Sequence, residues 1–449
     1  MATIVPIRGL RYNLDLVGDM SQVVTPPYDV ISPAAQQQYY DKNPYNIIRL
    51  EYGKINATDT DTDNRYTRAA KTFNEWIEKK VLLQEEKPAL YRYQQQYVVN
   101  GTEKTRTGFI CGVKIEPYEK GVVLPHEETL PKHKADRLAL MKACKANFSP
   151  IFGLYADHSL TIDKIIEEAA GNDLDLEFTD EEGITHRLTV IKDEEAIKKV
   201  QEAMEKQRIF IADGHHRYET SLNYRNYRRE EEGLTGEPGD QAYDYVMMTL
   251  VNLYDPGLII LPTHRLVKNV ANFNLSRLLE QLKEEFVVDP VPVNPDGSNI
   301  AEFLDQVYRK GGFDRGMGIN HRRAFGLYAG GNTGYVVTLE SEAAMDRLMP
   351  REKSLAWQGL DVSVLHTAIL ERLLGIGSEQ RAKESNLTYT QEEAGALKLV
   401  DSGQYQCVFF MNPTLVEEVT AVAVGGEKMP QKSTYFYPKL NTGLVIRKL

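Results

Sequence analysis

A change of pattern near the middle of the chain constrains the fold most. The run "RIFIADG" (208–214) is apolar, as a buried strand is, and it stops at a glycine. It passes directly into "HHRYETSLNYRNYRREEE" (215–232), whose length and polarity are typical of a helix with one exposed face. The sequence therefore predicts a strand that ends next to Gly214 and a helix that begins at His215.

Other segments carry both helix and strand patterns. Apolar positions recur at helical spacing in 64–82, and alternating runs at 88–99 and 106–115 flank an Asn-Gly pair that is typical of a hairpin. The segment 243–267 predicts two strands around an Asp-Pro-Gly turn, and 361–376 predicts a late helix. This mixture predicts an α/β protein of the mixed α+β type.

The length indicates more than one lobe, because 449 residues exceed what one compact core usually takes. We predict four regions, which are an N-terminal α/β region at 1–160, a region around the strand-to-helix junction at 161–270, a small α/β lobe at 271–350, and a helix and strand region at 351–449 that completes the core.

Charge and cysteine usage bear on partners and compartment. The net charge of −11 disfavours nucleic acid as a partner, since phosphates must be neutralised by basic groups. Cys111, Cys144 and Cys407 lack metal-ligand spacing and predict buried thiols in a reducing compartment. The first residues lack the apolar core of a signal peptide, and no run is long enough to cross a bilayer. We expect a cytoplasmic protein without a membrane partner.

The strand-to-helix junction has the chemistry of an anion site. The first N–H groups of a helix have no intrahelical partners and carry partial positive charge. Gly214 lets the backbone approach a ligand closely, and His215, His216 and Arg217 add donors. Together, residues 214–217 form a cradle of hydrogen-bond donors that is suited to phosphate.

Asp213 is the discordant member of this cradle. A carboxylate beside an anion site can bind a metal, accept a proton, or hold a histidine in one tautomer. The alternative is that Asp213 caps the helix while the histidines make structural hydrogen bonds. The sequence leaves both interpretations open.

Three further segments carry candidate polar groups. His126 and Glu127 follow Pro125, whereas the other polar residues of that segment, Arg137 among them, are interpreted as a solvated loop and helix start. His264 and Arg265 lie at the end of a predicted strand, and the alternative to a functional role is an ion pair at that strand end. A C-terminal turn offers donors suited to an anion, and its alternative is a basic surface turn: Lys432, Ser433, Thr434 and Lys439. The chain lacks Walker, dinucleotide, paired-cysteine, zinc-helix and nucleophile-elbow motifs, which disfavours redox-cofactor and zinc-hydrolase functions.

Seven motifs together resemble one family over essentially the whole chain. In order they are "VVTPPYDVIS", "HEETLPKHKADRL", "NFSPIFGLY", "IADGHHRYET", "DPGLIILPTHRL", "LDVSVLH" and "MPQKSTYFYPKLNTGL". The family is the prokaryotic domain-of-unknown-function family 1015, which has no established reaction.

A second resemblance covers the junction alone. "DGHHRYET" after a strand is similar to the phosphate-binding box of the ParB and sulfiredoxin superfamily, whose free-serine kinases move phosphate from ADP or ATP to serine. The resemblance implies a ParB/sulfiredoxin-like core with large insertions and an additional small α/β lobe. It also implies that residues 214–217 hold phosphate, that Asp213 helps with metal or proton transfer, and that an acidic base is supplied by Asp29 or Glu51.

The leading functional hypothesis is a nucleotide-dependent phosphotransferase that acts on a small hydroxylated metabolite, with serine as first candidate. ATP or ADP would donate the phosphoryl group, Mg²⁺ would bridge its oxygens, and Arg217, Lys432 and Arg265 would stabilise charge.

Two alternatives stay open. A metal-dependent phosphohydrolase would use Asp213, His215 or His216, and His126 or Glu127 as ligands. A sensor of a nucleotide or phosphate ligand would use the same cradle without turnover.

Overall fold

The chain forms two compact units. The structure is a computed structural model that describes residues 1–127, 129, 131–315, 322–339 and 341–449. The first unit comprises Met1–Pro125, Thr129–Leu258 and Pro438–Leu449, and the second comprises His126–Glu128 and Ile259–Tyr437. The four regions predicted from the sequence divide the chain more finely, and that division stays a prediction.

Both units contain strands and helices. The strands are β1 Ile4–Val5, β2 Leu10–Tyr12, β3 Leu82–Gln84, β4 Leu90–Val99, β5 Thr102–Lys114, β6 Val123–Leu124, β7 Ala146–Asn147, β8 Ile151–Tyr155, β9 Leu176–Thr179, β10 Thr185–Ile191, β11 Ile209–Asp213, β12 Tyr245–Asn252, β13 Ile259–Leu261, β14 His264–Val267, β15 Phe286–Pro292, β16 Ala324–Tyr328, β17 Thr333–Leu339, β18 Leu387–Thr390, β19 Cys407–Met411, β20 Tyr435–Tyr437 and β21 Arg447–Lys448. The α-helices are α1 Leu14–Val17, α2 Pro33–Lys42, α3 Ile48–Glu51, α4 Arg65–Glu78, α5 Pro131–Cys144, α6 Thr161–Ala170, α7 Glu194–Met204, α8 His215–Glu231, α9 Leu275–Leu282, α10 Ile300–Gly311, α11 Glu342–Leu348, α12 Leu355–Gln358, α13 Asp361–Val364, α14 Ser378–Ala382, α15 Glu393–Asp401 and α16 Val416–Val424.

The first unit is built on a nine-stranded mixed sheet. Its strand order is β6-β11-β8-β12-β5-β4-β10-β9, and β1 also pairs with β5. β4 and β5 form the predicted hairpin, in which Asn100 and Gly101 have φ 50° and 71°. An Asn-Gly pair adopts this left-handed conformation readily, and it matches the twist of the two strands. β11 lies inside the sheet between β6 and β8, and it ends at the predicted junction.

The core of the first unit lies against this sheet. Apolar side chains from α6, α7 and α8 pack there with those of the central strands. Both α6 and α7 bury residues at helical spacing, for example Ile162 and Ile166 in α6 and Val200 and Met204 in α7. This packing fixes α8 at the carboxyl end of β11.

The second unit is built on a six-stranded antiparallel sheet of order β15-β17-β16-β19-β14-β18. The strands of the predicted 271–350 lobe therefore share one sheet with later strands. Strands β12 and β13 flank the Asp-Pro-Gly turn, as predicted, but they belong to different sheets. β12 lies in the first unit, and the chain enters the second unit after Leu258. There β13 pairs with β20, and β14 pairs with β18 and β19.

The mixed α/β class predicted from the sequence is confirmed. Cys111, Cys144 and Cys407 are buried free thiols, as expected. Burial raises the pKa of Cys144 to about 12. Within the described part of the chain, none of the helices has the length and apolar character needed to span a bilayer.

Candidate functional site

A single glycine connects Asp213, the last residue of β11, to α8. Gly214 has φ 95° and ψ 29°, in the left-handed region that favours glycine. A Cβ atom here would lie 3.0 Å from the guanidinium carbon of Arg217, so glycine also leaves room for that side chain. α8 then continues for 17 residues. The strand, the glycine and the helix stand where the sequence predicts them.

Asp213 is ion-paired through both carboxylate oxygens. Oδ1 accepts a hydrogen bond from Nζ of Lys439 at 2.7 Å, and Oδ2 accepts one from Nη2 of Arg217 at 2.7 Å. Burial by itself raises the pKa of this carboxyl, but Lys439 and Arg217, with His215 in support, hold the pKa of Asp213 well below its usual range. Asp213 is therefore ionised at neutral pH and is a weak proton acceptor.

The Asp213 cluster, defined as Asp213, Gly214, Arg217 and Lys439, has an excess of positive charge. Two cationic side chains accompany one carboxylate, and the cluster lies at the positive end of the α8 dipole. Arg217 also donates to the carbonyl of Pro150 at 2.6 Å, which fixes its guanidinium. Positive charge held in place beside helix N–H groups is suited to bind an anion such as phosphate.

The two histidines occupy the first turn of α8 but differ in exposure. His215 is buried at 5% exposure, whereas His216 is only partly buried. His215 is close enough to Asp213 to help lower the pKa of that carboxyl. The partly exposed ring of His216 is therefore the more accessible to a ligand.

Glu51 is a buried carboxyl at the end of α3. Its Oε1 accepts a hydrogen bond from Oγ of Ser149 at 3.0 Å and lies 3.3 Å from Nη1 of Arg137. Burial raises the pKa of Glu51 and outweighs the lowering effect of Arg137 and Arg217. A carboxyl shifted in this direction is suited to accept and release a proton. Asp29, the other candidate base, is exposed, so the geometry favours Glu51.

Arg137 holds Glu51 in place. Its Nη1 donates to the backbone carbonyl of Glu51 at 2.9 Å, and its Nε and Nη2 donate to Oδ2 of Asp136 at 2.8 and 2.5 Å. Its guanidinium carbon lies 4.0 Å from the centre of the Tyr28 ring. Asp136 is held in turn by Arg65 and by the hydroxyl of Tyr66. The carboxyl of Glu51 therefore has a rigid support.

Glu51 and Arg217 line one cavity of about 40 Å³ in the first unit. Arg137 and Ser149 line it as well. Lys439 instead lines a second cavity, of about 80 Å³. The first cavity thus joins the Asp213 cluster, through Arg217, to the carboxyl of raised pKa.

The described residues do not fit a metal ion held directly by the protein. The sequence analysis predicts Mg²⁺, with Asp213 as a candidate ligand, but both oxygens of Asp213 accept hydrogen bonds from cations that compete with a metal for the same lone pairs. Across the residues that the structure describes, no group of three or more His, Cys, Asp or Glu could hold a metal ion.

His126 and Glu127 lie in the second unit beside the turn that contains Lys432. Nε2 of His126 is 2.9 Å from Oγ1 of Thr434, and its carbonyl accepts from the N–H of Met429 at 2.6 Å. Oε1 of Glu127 accepts from the backbone N–H of Lys432 at 3.3 Å. These contacts hold the turn in place.

The remaining candidates of the second unit are mostly engaged with the backbone. Arg265 donates to the carbonyls of Thr263 and Lys432, the latter at 2.8 Å. Nδ1 of His264 accepts from the N–H of Met411 at 3.1 Å. The Ser433 hydroxyl donates to a backbone carbonyl three residues earlier. Lys439, which the sequence groups with Lys432, instead belongs to the first unit and contacts Asp213.

Sequence reasoning missed two residues of the site. The sequence pattern predicts Arg137 to be part of a charged helix start, yet Arg137 is buried at 6% exposure and binds Glu51. Ser149 was assigned no role. Neither has a spacing signal, because their common partner Glu51 lies 86 and 98 residues away in the sequence.

Comparisons with solved structures give only distant similarity. They include a free serine kinase in complex with AMP (13% identity, TM-score 0.32, covering 70% of this chain and 84% of that one). A conserved hypothetical protein from Pyrococcus furiosus is 13% identical with a TM-score of 0.32, over 71% and 89% of the two chains. SbnI with a C-terminal truncation, from Staphylococcus aureus, is 11% identical with a TM-score of 0.32, over 75% and 81%. At these TM-scores the similarity carries no argument about activity.

A family model gives a clear result. No curated protein matches the sequence, but the model of the family described as "Protein of unknown function (DUF1015)" matches residues 4–363. The match spans well over half of the chain and includes the Asp213 junction. The chain therefore belongs to this family of proteins of unknown function, DUF1015.

Proposed function

We propose that this protein is a nucleotide-dependent phosphotransferase that acts on a small hydroxylated metabolite. The observation that carries the proposal is the cavity lined by both Arg217 and Glu51. It combines a cation anchored at a helix N-terminus with a buried carboxyl whose pKa is raised. Phosphoryl transfer needs these two parts, a site for phosphate charge and a base for the acceptor hydroxyl.

The transfer step assigns one task to each part. The acceptor hydroxyl oxygen forms a bond to the terminal phosphorus of ATP or ADP, and the bond from that phosphorus to the bridging oxygen breaks. The nucleotide leaves with the electron pair as ADP or AMP, and Glu51 takes the hydroxyl proton. Arg217 and Lys439, with the first N–H groups of α8, stabilise charge on the transferring group. Ser149 and Arg137 orient the base.

Asp213 has a positioning role in this proposal. Because its carboxylate is ionised and shared by two cations, it holds Arg217 and Lys439 where the phosphate binds instead of moving a proton. The resemblance of the Asp-Gly-His-His-Arg segment to the free-serine kinases makes serine the first acceptor to test. A phosphohydrolase that depends on a protein-held metal has less support, because the described residues do not fit such an ion.

The test is product formation by the full chain. The protein is mixed with Mg²⁺, serine, and ATP or ADP, and the products are followed by phosphorus NMR. We expect phosphoserine from the wild type and at least a hundredfold slower formation from Glu51→Gln, since general-base catalysis contributes about 10²–10⁴-fold. Asp29→Asn is the matched control, because that carboxylate is exposed, and it should keep wild-type activity.

The outcomes separate the candidate functions. If the protein binds the nucleotide without turning it over, and Lys439→Ala lowers the affinity, the protein is a sensor and not a transferase. Release of inorganic phosphate without transfer would favour a hydrolase. Equal activity of Glu51→Gln and the wild type would overturn the role of Glu51.

A further inference from the structure

The second unit contains several buried polar atoms without a hydrogen-bond partner among the described residues. They include Nε of Arg265, the hydroxyl of Tyr389, Nε2 of His366 and Oγ of Ser363. Buried polar atoms in folded proteins nearly always have a partner, so each exception needs an explanation such as a water or a ligand. Such atoms occur in both units, so those that lie next to one another are the ones that a single ligand could satisfy.

Arg265 and Tyr389 lie side by side on neighbouring strands. They are directly paired between β14 and β18, and side chains of paired residues project from the same face of a sheet. The guanidinium carbon of Arg265 is 5.7 Å from the centre of the Tyr389 ring. The unpartnered Nε and the unpartnered hydroxyl therefore belong to one face of the sheet.

Arg265 is a buried cation that forms no ion pair with a carboxylate among the described residues. It is 1% exposed, and its hydrogen bonds in the described part of the chain go to the backbone carbonyls of Thr263 and Lys432. Within the described ranges no carboxylate forms an ion pair with it, whereas the buried Arg137 of the first unit pairs with Asp136 and Glu51. Burial lowers the pKa of Arg265 to about 10. The carboxylate of Glu127 acts on Arg265 electrostatically without forming an ion pair with it. A buried cation compensated only in this way is unfavourable, so an anion at this point would stabilise the fold.

His366 is a third buried polar group, and it is near enough to Arg265 to interact with it electrostatically. It lies on the π-helical stretch Leu365–Glu371 and is 3% exposed. Short π-helical segments are rare and occur often at functional sites. Burial, followed by the positive charge of Arg265 and of Arg381, lowers the pKa of His366, so its ring is neutral and can donate one N–H. Ser363 lies one helical turn earlier, with its hydroxyl unpartnered in the described structure.

Partly exposed groups surround these buried atoms. Tyr389 and Arg381 are partly exposed, and Lys432 is exposed. Arg265, Glu384, Lys432 and Arg381 all act electrostatically on the hydroxyl of Tyr389. The surroundings of this hydroxyl therefore carry three cationic side chains and one carboxylate.

We propose that Arg265, Tyr389 and His366 form a binding site in the second unit for an oxyanion, a carboxylate or a phosphate group of a small ligand. Arg265 supplies the charge, and the Tyr389 hydroxyl and the His366 ring supply hydrogen-bond donors. The oxyanion would satisfy the buried atoms that have no protein partner in the described chain. The site does not depend on the proposed transferase activity, since it uses none of the residues assigned to phosphoryl transfer.

Histidine NMR of the full chain tests the site directly. With ¹⁵N-labelled histidine, the ring signal of His366 is assigned by its disappearance in His366→Gln. Inorganic phosphate and acetate are then titrated separately, and we expect the His366 signal to shift and to saturate with one of them. Saturation by phosphate identifies a phosphoryl ligand, and saturation by acetate identifies a carboxylate. No shift with either anion would overturn the proposal.

Two hydroxyl variants show whether the shift arises at this site. Tyr389→Phe removes a hydroxyl that has no partner in the described chain, so folding should be unaffected, but the midpoint of the titration should rise about tenfold. Thr338→Val is the matched control, because it removes another unpartnered hydroxyl of the same sheet, three strands from β14, and its titration should equal that of the wild type. A Tyr389→Phe titration identical to that of the wild type would also overturn the proposal.

Discussion

Asp213 is the residue on which the proposed phosphate site depends, because it holds two cations at once. The side chains of Arg217 and Lys439 are 11% and 15% exposed, and without Asp213 each would keep a largely desolvated charge. Removing one partner of a buried ion pair destabilises the fold strongly, because the other charge then stays buried without its partner. The carboxylate is therefore required for stability and for the geometry of the site.

Replacing Asp213 by Asn should destabilise the first unit by about 3 kcal/mol at pH 7. The folded pKa of Asp213 lies below its unfolded value, so the advantage of the wild type is complete above the unfolded pKa of about 3.9. It is lost as the pH falls from there toward the folded pKa. Urea unfolding can be followed by Trp76 fluorescence in a Trp357→Phe background. The difference in the free energy of unfolding between the wild type and Asp213→Asn should narrow below about pH 4.

The exposed Asp29 provides the control for that measurement. Asp29→Asn should change the free energy of unfolding by no more than about 0.5 kcal/mol. A difference between wild type and Asp213→Asn that stayed constant from pH 7 down to about pH 3 would contradict the ionised, doubly paired state of Asp213.

Individual site residues could be predicted from the sequence only where they are local. The junction of Asp213, Gly214 and Arg217 is readable, because a strand, a glycine and a helix follow one another directly. The contact between Asp213 and Lys439 is not readable, because 226 residues separate them. Arg137 could not be told from a solvated helix residue, since its burial depends on Glu51 and Asp136 together.

At the level of elements, the turn between β11 and α8 is where the backbone constrains the site most. Replacing Gly214 by Ala places a side chain at φ 95°, which costs about 1–2 kcal/mol. It also places a Cβ atom 3.0 Å from the Arg217 guanidinium, which must then shift. A displacement of this kind should lower the rate of the proposed phosphotransfer by up to about a hundredfold, and steady-state assays would measure it.

Gly233 follows the C-terminal end of α8. Replacing it by Ala distinguishes the effect of backbone strain from the effect of displacing Arg217. Its φ is 67°, and a Cβ atom there would have nothing within 4 Å. Gly233→Ala should therefore lose about 1–2 kcal/mol of stability and keep full activity. If both alanine variants lost activity equally, helix strain and not the position of Arg217 would be responsible.

Elements were predictable where one local pattern was sufficient. The β4–β5 hairpin follows from its Asn-Gly turn, and α4 follows from apolar positions at helical spacing. The Asp-Pro-Gly turn at 255–257 lies between two strands, as predicted, but such a turn does not reveal that the two strands join different sheets. The partner of β13 is β20, which lies far along the chain.

For the whole molecule, the order of the chain matters because the first unit is discontinuous. After Tyr437 the chain returns to that unit, and its last twelve residues supply Lys439 together with a strand. Nε2 of Gln95 donates to the carbonyl of Lys439 at 2.9 Å, and Arg106 donates to the carbonyl of Pro438 at 2.6 Å. The returning segment therefore completes both the fold and the Asp213 cluster, which no local sequence pattern indicates.

Removal of Pro438–Leu449 should therefore unfold the first unit. The segment buries Leu440, Leu444, Val445 and Ile446, each at 5% exposure or less. At roughly 1.5–3 kcal/mol for each such side chain, their loss is comparable to the stability of an entire domain. Trp76 fluorescence and amide hydrogen exchange of the first unit should report an unfolded state in the truncated chain, and the synthetic peptide 438–449 added in trans should restore protection.

The same peptide with Lys439→Ala should restore the fold without restoring phosphate binding. A truncated chain with native exchange protection at β5 and β12 would show that the segment is dispensable for the fold, and restoration of phosphate binding by the Lys439→Ala peptide would remove Lys439 from the site.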